Sequence, residues 1–321
     1  MLYNFLKILS RIAIKIYCRK IVINRPEMLE EKGPLLLACN HPNSFLDSVI
    51  LDTLFKEPVW SLARGDVFKK PFYIKLLTAL KILPVYRTSE GVENLSENYK
   101  TFNACINLFR QNAVIMIFSE GKCINEWHLR PLKKGTARLS FKAWEEDIPL
   151  RVLPVGINYS SFRRFGKNVF LNFGKIINPD EIKINEADGM RHQAFNDKLQ
   201  KELSQLVFEI PTNNKQQQKD KLEIQPGLFK KIFLFIPAVA GWIVHAPLYI
   251  AVKRFTWKRT HLNDHYDSVM TALLLITYPF YLFIIILVLG LITHCWWVYF
   301  LIIILPFTAW SYVQLKPQLD K

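Results

Sequence analysis

The sequence predicts an α/β fold: a mostly parallel central sheet flanked by helices, with an N-terminal interfacial helix and a C-terminal helical membrane region. Three observations carry the prediction. Short apolar runs alternate with helical periodicity from residue 24 to 210, the pattern of parallel strands joined by crossover helices. Residues 1–23 place Lys7, Arg11, Lys15 and Arg19 at four-residue intervals among apolar side chains. Val269 to Leu315 contains no Asp, Glu, Lys or Arg, and it is about twice the roughly 20 residues that cross a bilayer.

The elements follow in chain order. The cationic spacing in 1–23 lines one helical face, so this segment is expected as an amphipathic helix in a membrane interface, apolar face down. It has no uninterrupted apolar core or small-residue cleavage site of a secretory signal. Pro34 to Cys39 reads as a buried strand, and Ser48 to Phe55 as a helix whose one charge is Asp52. Further strands are expected at Val59–Ala63, Ile82–Tyr86, Val114–Phe118, Val152–Ile157 and Val169–Phe173. Helices are expected at Pro71–Leu80 and Val92–Gln111, from about Lys133 to Trp144, and over most of Pro179–Phe208. The polar stretch 211–226, with three consecutive glutamines, reads as a linker, and 227–321 as a membrane region.

Composition narrows the function. With 42 Lys+Arg against 27 Asp+Glu, the 321-residue chain carries a formal charge of +15, suited to nucleic acid or an anionic lipid surface. The cations accompany apolar segments rather than exposed aromatic platforms, which favours membrane lipids and argues against nucleic acid. Five cysteines without a C-x-x-C pair argue against a disulfide framework or zinc site and for a reducing, cytosol-facing location. No G-x-G-x-x-G, G-x-x-x-x-G-K-[ST] or G-x-S-x-G occurs, which disfavours the usual nucleotide cradles and an ordinary serine hydrolase. His261 and His265 share metal-ligand spacing but read as a polar interfacial loop; no metal is expected.

The chemistry is expected at Asn40 to Asp47, N-H-P-N-S-F-L-D, where a strand meets the start of a helix. Asp47 can hold one ring nitrogen of His41 and leave the other to take a proton, which outlines a general base. Arg87, at the end of a strand, suits two-pronged phosphate binding.

Four blocks in order carry a resemblance: N-H-P-N-S-F-L-D, L-P-V-Y-R ending at Arg87, F-S-E-G at 118–121 followed by L-K-K-G at 132–135, and V-L-P-V-G-I at 152–157. Together they resemble the glycerolipid acyltransferase family, which includes glycerol-3-phosphate and 1-acylglycerol-3-phosphate acyltransferases, over roughly residues 25–175. The resemblance implies that His41 is the general base on an acceptor hydroxyl and that Asp47 orients it. It also links Arg87, Glu120 and Gly121 to the acceptor's phosphate and head group, and matches Pro154 to the fourth block's proline. Three places depart from the pattern: five residues separate His41 from Asp47 instead of four, Lys122 and Cys123 replace a threonine and an arginine, and Lys81 replaces a glycine. A phosphate clamp is then to be rebuilt from Lys122, Arg130, Lys133 or Lys134. The implied reaction moves a fatty acyl group from acyl-CoA or acyl-carrier protein to 1-acylglycerol-3-phosphate without a cofactor. Glycerol-3-phosphate or another lysolipid is the alternative acceptor, and a non-catalytic lipid-binding scaffold is the alternative class.

In the membrane region, Ile232 to Val252 is uncharged but interrupted by Pro237, Gly241 and Pro247. Crossing the bilayer would put one of its cationic flanks on the far side, so a shallow or re-entrant segment is expected. Residues 269–315 are expected to form a transmembrane hairpin turning near His294, with the catalytic domain on the cytoplasmic face.

Overall fold

The computed structural model describes residues 2–86, 95–182 and 188–320. Helix α1 (Leu2–Tyr17) leads directly into strand β1 (Cys18–Ile23), followed by β2 (Leu35–Cys39) and α2 (Phe45–Leu54). Next come β3 (Val59–Arg64), α3 (Pro71–Ala79), β4 (Ile82–Val85), α4 (Leu95–Arg110), β5 (Val114–Phe118) and α5 (Gly135–Glu145). Strands β6 (Arg151–Tyr159) and β7 (Lys167–Phe173) precede α6 (Asp188–Leu206) and α7 (Lys215–Leu222). Three long apolar helices close the chain: α8 (Leu228–Thr260), α9 (Tyr266–Thr293) and α10 (Leu301–Leu315).

The seven strands form one sheet in the order β1-β7-β6-β2-β5-β3-β4, in which only the β6–β7 pair is antiparallel. Strand β2 is buried along its whole length, as a central parallel strand covered on both faces must be. Its side chains alternate: Leu35, Leu37 and Cys39 join a core with α1, α2 and α7, whereas Leu36 and Ala38 face α4, α5 and α6. The mostly parallel α/β architecture predicted from the alternating pattern is the one observed.

Several elements differ from the sequence-based expectation. The segment 1–23 is not one helix: 18–23 pairs with β7 as an edge strand, since the β-branched Ile21-Val22-Ile23 finds an open edge there. The cationic face of α1 also turns inward. Lys7 meets Asp52, and Arg11 donates to the carbonyls of Thr53 and Phe55, while Leu2, Phe5, Ile8 and Ile12 are left exposed as an apolar stripe. Residues 211–226 contain α7, whose Leu222 is buried in the core. In the stretch expected to be helical from Pro179, the described residues form a 3-10 turn at Pro179–Glu181 and helix α6 over Asp188–Leu206.

Residues 232–252 lie within the continuous helix α8, with Pro237 and Pro247 inside it. Gly241 marks its crossing with α10: a Cβ there would stand 2.2 Å from the Thr308 carbonyl oxygen, so only glycine permits this approach. Helices α8 and α9, and the stretch Trp296–Leu315 ending in α10, are each long and apolar enough to cross a membrane. The C-terminal end of α8 touches the α/β domain, and its N-terminal end reaches that domain through α10. Lys230 donates to Gln314, whose amide donates to the Arg19 carbonyl, and the Arg163 guanidinium lies 5.5 Å from the Trp257 ring.

Candidate active site

The site is assembled where β2 ends. Asn40 closes the strand by bonding Ile157 twice, donating to its carbonyl at 3.0 Å and accepting from its N–H at 2.7 Å. This side chain extends the β2–β6 ladder by one step and fixes the departure of His41. The five-residue spacing is absorbed in the loop: Ser44 adopts φ 54°, α2 starts at Phe45, and Asp47 falls in the first helical turn. A left-handed serine is strained, and two contacts hold it: its N–H meets Cys123 Sγ at 2.9 Å and its hydroxyl meets His265 Nδ1 at 2.7 Å.

His41 Nδ1 stands 2.8 Å from Asp47 Oδ2. The Asp47 carboxylate is fully buried and also accepts from the Asn43 N–H at 2.9 Å and the Tyr159 hydroxyl at 2.7 Å. The helix N-terminus adds favourable potential, so these donors stabilise the anion. Burial and the Asp47 charge push the Tyr159 hydroxyl well above its ordinary pKa, which keeps it a donor. The imidazole stacks on Phe118, centroids 3.8 Å apart, and its side chain is 14% exposed. Nε2 has no partner among the described residues. One nitrogen is therefore tied to a buried anion and the other is free, the polarity a general base requires. Burial raises the thiol pKa values of Cys39 and Cys123, so neither neighbour supplies a thiolate nucleophile.

A second buried charge lies behind this loop. Lys167 Nζ pairs with Asp267 Oδ2 at 2.5 Å, with the lysine side chain fully buried and the aspartate 1% exposed. Asp267 also accepts from Tyr17 and, at 2.7 Å, from Asn43 Nδ2. Asn43 thus binds both aspartates, Asp47 through its backbone and Asp267 through its side chain. Ser268 donates to the Asn43 carbonyl at 3.1 Å, and Asp264 accepts from the Asn125 N–H at 3.2 Å. The first turn of α9 is thereby clamped onto the His41–Asp47 loop.

Comparison with known proteins follows this geometry. Residues 20–158 match the family model described as Acyltransferase, a span that includes the His41–Asp47 pair and Glu120. That segment of the chain is similar to the acyltransferase family. The crystal structure of 1-acyl-sn-glycerophosphate (LPA) acyltransferase, PlsC, from Thermotoga maritima is similar at 16% identity, over 63% of this chain and 79% of that one, with a TM-score of 0.43. No curated protein matches the chain.

The other sequence-predicted positions of the site divide into braces and exposed cations. Glu120 is buried, and its oxygens accept from the N–H groups of His41 at 2.7 Å and Arg130 at 2.8 Å. Desolvation raises its pKa against the lowering effect of those bonds. Glu120 therefore braces the His41 backbone. Gly121 adopts φ 69°, and a Cβ there would come within 3.0 Å of Lys133 Cγ, so glycine satisfies both the left-handed turn and the close side chain. Lys122, Lys133 and Lys134 are exposed, whereas Arg130 is paired with Glu126 at 3.0 Å. Among the described residues, those three lysines have no carboxylate within 4 Å, which leaves them open to an anion.

Pro154 lies in β6 opposite Ala38, where pairing with β7 is interrupted between Val155↔Phe173 and Val152↔Ile177. An irregular ladder tolerates its missing N–H, so this proline shapes the strand. Lys81, which replaces a glycine of the family pattern, has φ 61°, a glycine-like backbone. Its ammonium lies 4.7 Å from the Trp60 ring and 5.3 Å from the Tyr3 ring, attractions that offset the strain. Arg87 lies outside the described residues. His261 and His265 do not converge: the first meets the Trp257 carbonyl and the second Ser44.

Sequence reasoning missed Tyr159, Asn43 and the Lys167–Asp267 pair. An aspartate at the threshold of an uncharged helix was the available signal, because an isolated charge in apolar surroundings needs a partner, whereas Lys167, between Gly166 and Asn168, left no such mark.

Proposed function

We propose that the acyltransferase moves a fatty acyl group from a thioester, acyl-CoA or acyl-carrier protein, to the hydroxyl of 1-acylglycerol-3-phosphate. The observation that carries the chemistry is the His41–Asp47 pair with Nε2 free at the strand end. His41 Nε2 takes the acceptor's hydroxyl proton as its oxygen attacks the thioester carbonyl. Asp47 stabilises the imidazolium, and collapse of the tetrahedral intermediate expels the thiolate, which recovers the proton. Oxygen–carbon bond formation balances carbon–sulfur cleavage, with no covalent enzyme intermediate. Lys122, Lys133 and Lys134, exposed beside the Glu120 brace, are candidates to meet the acceptor's phosphate together with Arg87. A membrane-resident acceptor is favoured over glycerol-3-phosphate by the exposed apolar stripe of α1 and by the apolar helices α8–α10.

If Arg87 grips phosphate with two parallel bonds, Arg87→Ala is expected to raise the acceptor KM by about tenfold or more and leave the donor KM nearly unchanged. Arg87→Lys should recover only part of this. Steady-state kinetics with each substrate varied separately decides it, since equal losses for both would assign Arg87 to folding. Parallel assays with glycerol-3-phosphate and other lysolipids test the acceptor.

The proposed topology keeps the catalytic domain in the cytoplasm, α8 as a shallow helix in the membrane interface and α9–α10 crossing as a hairpin. Its support is that α8 meets the catalytic domain at Trp257 and is tied to it at Lys230 through Gln314 of α10. Four native cysteines are buried, and Cys295, at the α9–α10 turn, is partly exposed. A membrane-impermeant maleimide should label Cys295 in intact cells. Asn263→Cys in a Cys295→Ser background should react only after lysis, and the reverse pattern would refute this orientation.

A further inference from the structure

Helix α1 and the three apolar helices enclose a cavity of about 450 Å³ that the proposed reaction does not use. Its walls come from Leu9, Ile12 and Ile16 of α1 and from apolar residues of α8, α9 and α10, and neither His41 nor Asp47 reaches it. The cavity is polarised along its length. Trp242 and Leu282 line it toward the middle of the helices, whereas Lys253 and Lys316 line it beside Tyr17 and Phe165 of the catalytic domain. Lys253 lies eight residues beyond His245, another lining residue, which is about 12 Å along a helix, so the two regions are well separated.

Positive charge at the domain end is only partly compensated. Lys316 donates to the Phe165 carbonyl and stands 5.6 Å from the Tyr249 ring, but among the described residues neither Lys316 nor Lys253 has a carboxylate within 4 Å. Asp267, the opposing carboxylate nearby, is already bonded to Lys167, Tyr17 and Asn43. Burial first, and then the Arg164, Lys167 and Lys253 cations, push the Lys316 ammonium down to about 8. A cation of this kind beside apolar walls favours an anion that carries its own hydrocarbon. Cavities of several hundred Å³ with few polar groups are typical ligand sites.

We propose that this cavity binds one anionic phospholipid of the surrounding bilayer, with an acyl chain between α1 and α8–α10 and the phosphate against Lys253 and Lys316. The lipid is adjacent by construction, because the outer face of α1 presents Leu2, Phe5 and Ile8 and each of α8 and α9, and the stretch ending in α10, is apolar over a length that can cross a membrane. Occupancy also reaches the catalytic loop: Tyr17 lines the cavity and donates to Asp267, which holds Asn43. Filling the cavity therefore steadies the loop that carries His41. This is a site for a resident lipid, separate from the acceptor's, and its binding does not require acyl transfer.

The full chain, delipidated in detergent, would be titrated with dioleoyl-phosphatidylglycerol or dioleoyl-phosphatidylcholine while thermal stability and bound lipid by native mass spectrometry are followed. One phosphatidylglycerol per chain is expected, half-saturating at a concentration about tenfold below phosphatidylcholine, the effect of one charge-assisted contact. Lys253→Gln, at an exposed position, should remove most of that preference, as should Lys316→Gln. Ala309→Trp or Ala13→Phe, which fill the cavity, should lower retention of both lipids. His41→Ala should bind as the native chain does, so a failure of the catalytic reading would leave this one standing. Equal affinity for the two lipids, or an undiminished preference in Lys253→Gln and Lys316→Gln, would overturn the proposal.

Discussion

His41→Ala is expected to lower acyl transfer by about 100- to 10,000-fold while leaving the protein folded, because removing a positioned base costs about that much. The ring is partly exposed and its Nε2 carries no bond among the described residues, so little packing is lost. Asp47→Asn isolates the charge. The amide oxygen can still accept from His41 and Asn43, and the amide N–H₂ can donate to the Tyr159 hydroxyl in place of the bond Asp47 now accepts. The fold is preserved but the imidazolium loses its counter-charge, so turnover should fall by about two orders of magnitude or more with little change in either KM. Single-turnover assays with radiolabelled acyl donor, alongside circular dichroism, check both variants. Near-native turnover of His41→Ala would remove the general-base mechanism altogether.

Asp267→Ala should be the most destabilising substitution outside the catalytic pair. It leaves the Lys167 ammonium fully buried with no partner charge, and breaking a buried ion pair from one side costs about 3–5 kcal/mol. It also frees Tyr17 and the Asn43 side chain, the latter part of the loop between His41 and Asp47. Activity should therefore fall together with stability. The double variant Asp267→Leu with Lys167→Met separates the two effects: replacing both charges with apolar groups should recover much of the stability, but not the Asn43 anchor, so turnover should stay low. Thermal unfolding in detergent and kcat for the two singles and the double complete the cycle. Full recovery of kcat in the double would show that the pair acts on stability alone.

Much of the candidate site was legible because its chemistry is local in sequence. His41 and Asp47 are six positions apart at a strand-to-helix junction, and that spacing puts the side chains within reach once Ser44 takes its positive φ. Glu120 was legible as a position but not in its role, since the N–H groups it holds belong to His41 and Arg130, and backbone donors leave no mark on composition. The direction of the α1 cations was hidden for a related reason. Periodicity defines a face, but whether that face meets lipid or α2 depends on carbonyls at Thr53 and Phe55, which any residue supplies.

The sequence by itself determined the alternating α/β pattern, the His41–Asp47 pair, the order of the four blocks and the apolar C-terminal run, because each follows from short-range periodicity, spacing or hydropathy. Only the tertiary structure decided that 18–23 is an edge strand, that Tyr159 supports Asp47, and that Lys167 and Asp267, a hundred residues apart, share one buried site. Those contacts arise where distant segments converge, at the open edge of β7 and behind the catalytic loop. There the cost of burying a polar group selects its partner from the whole fold rather than from its sequence neighbours.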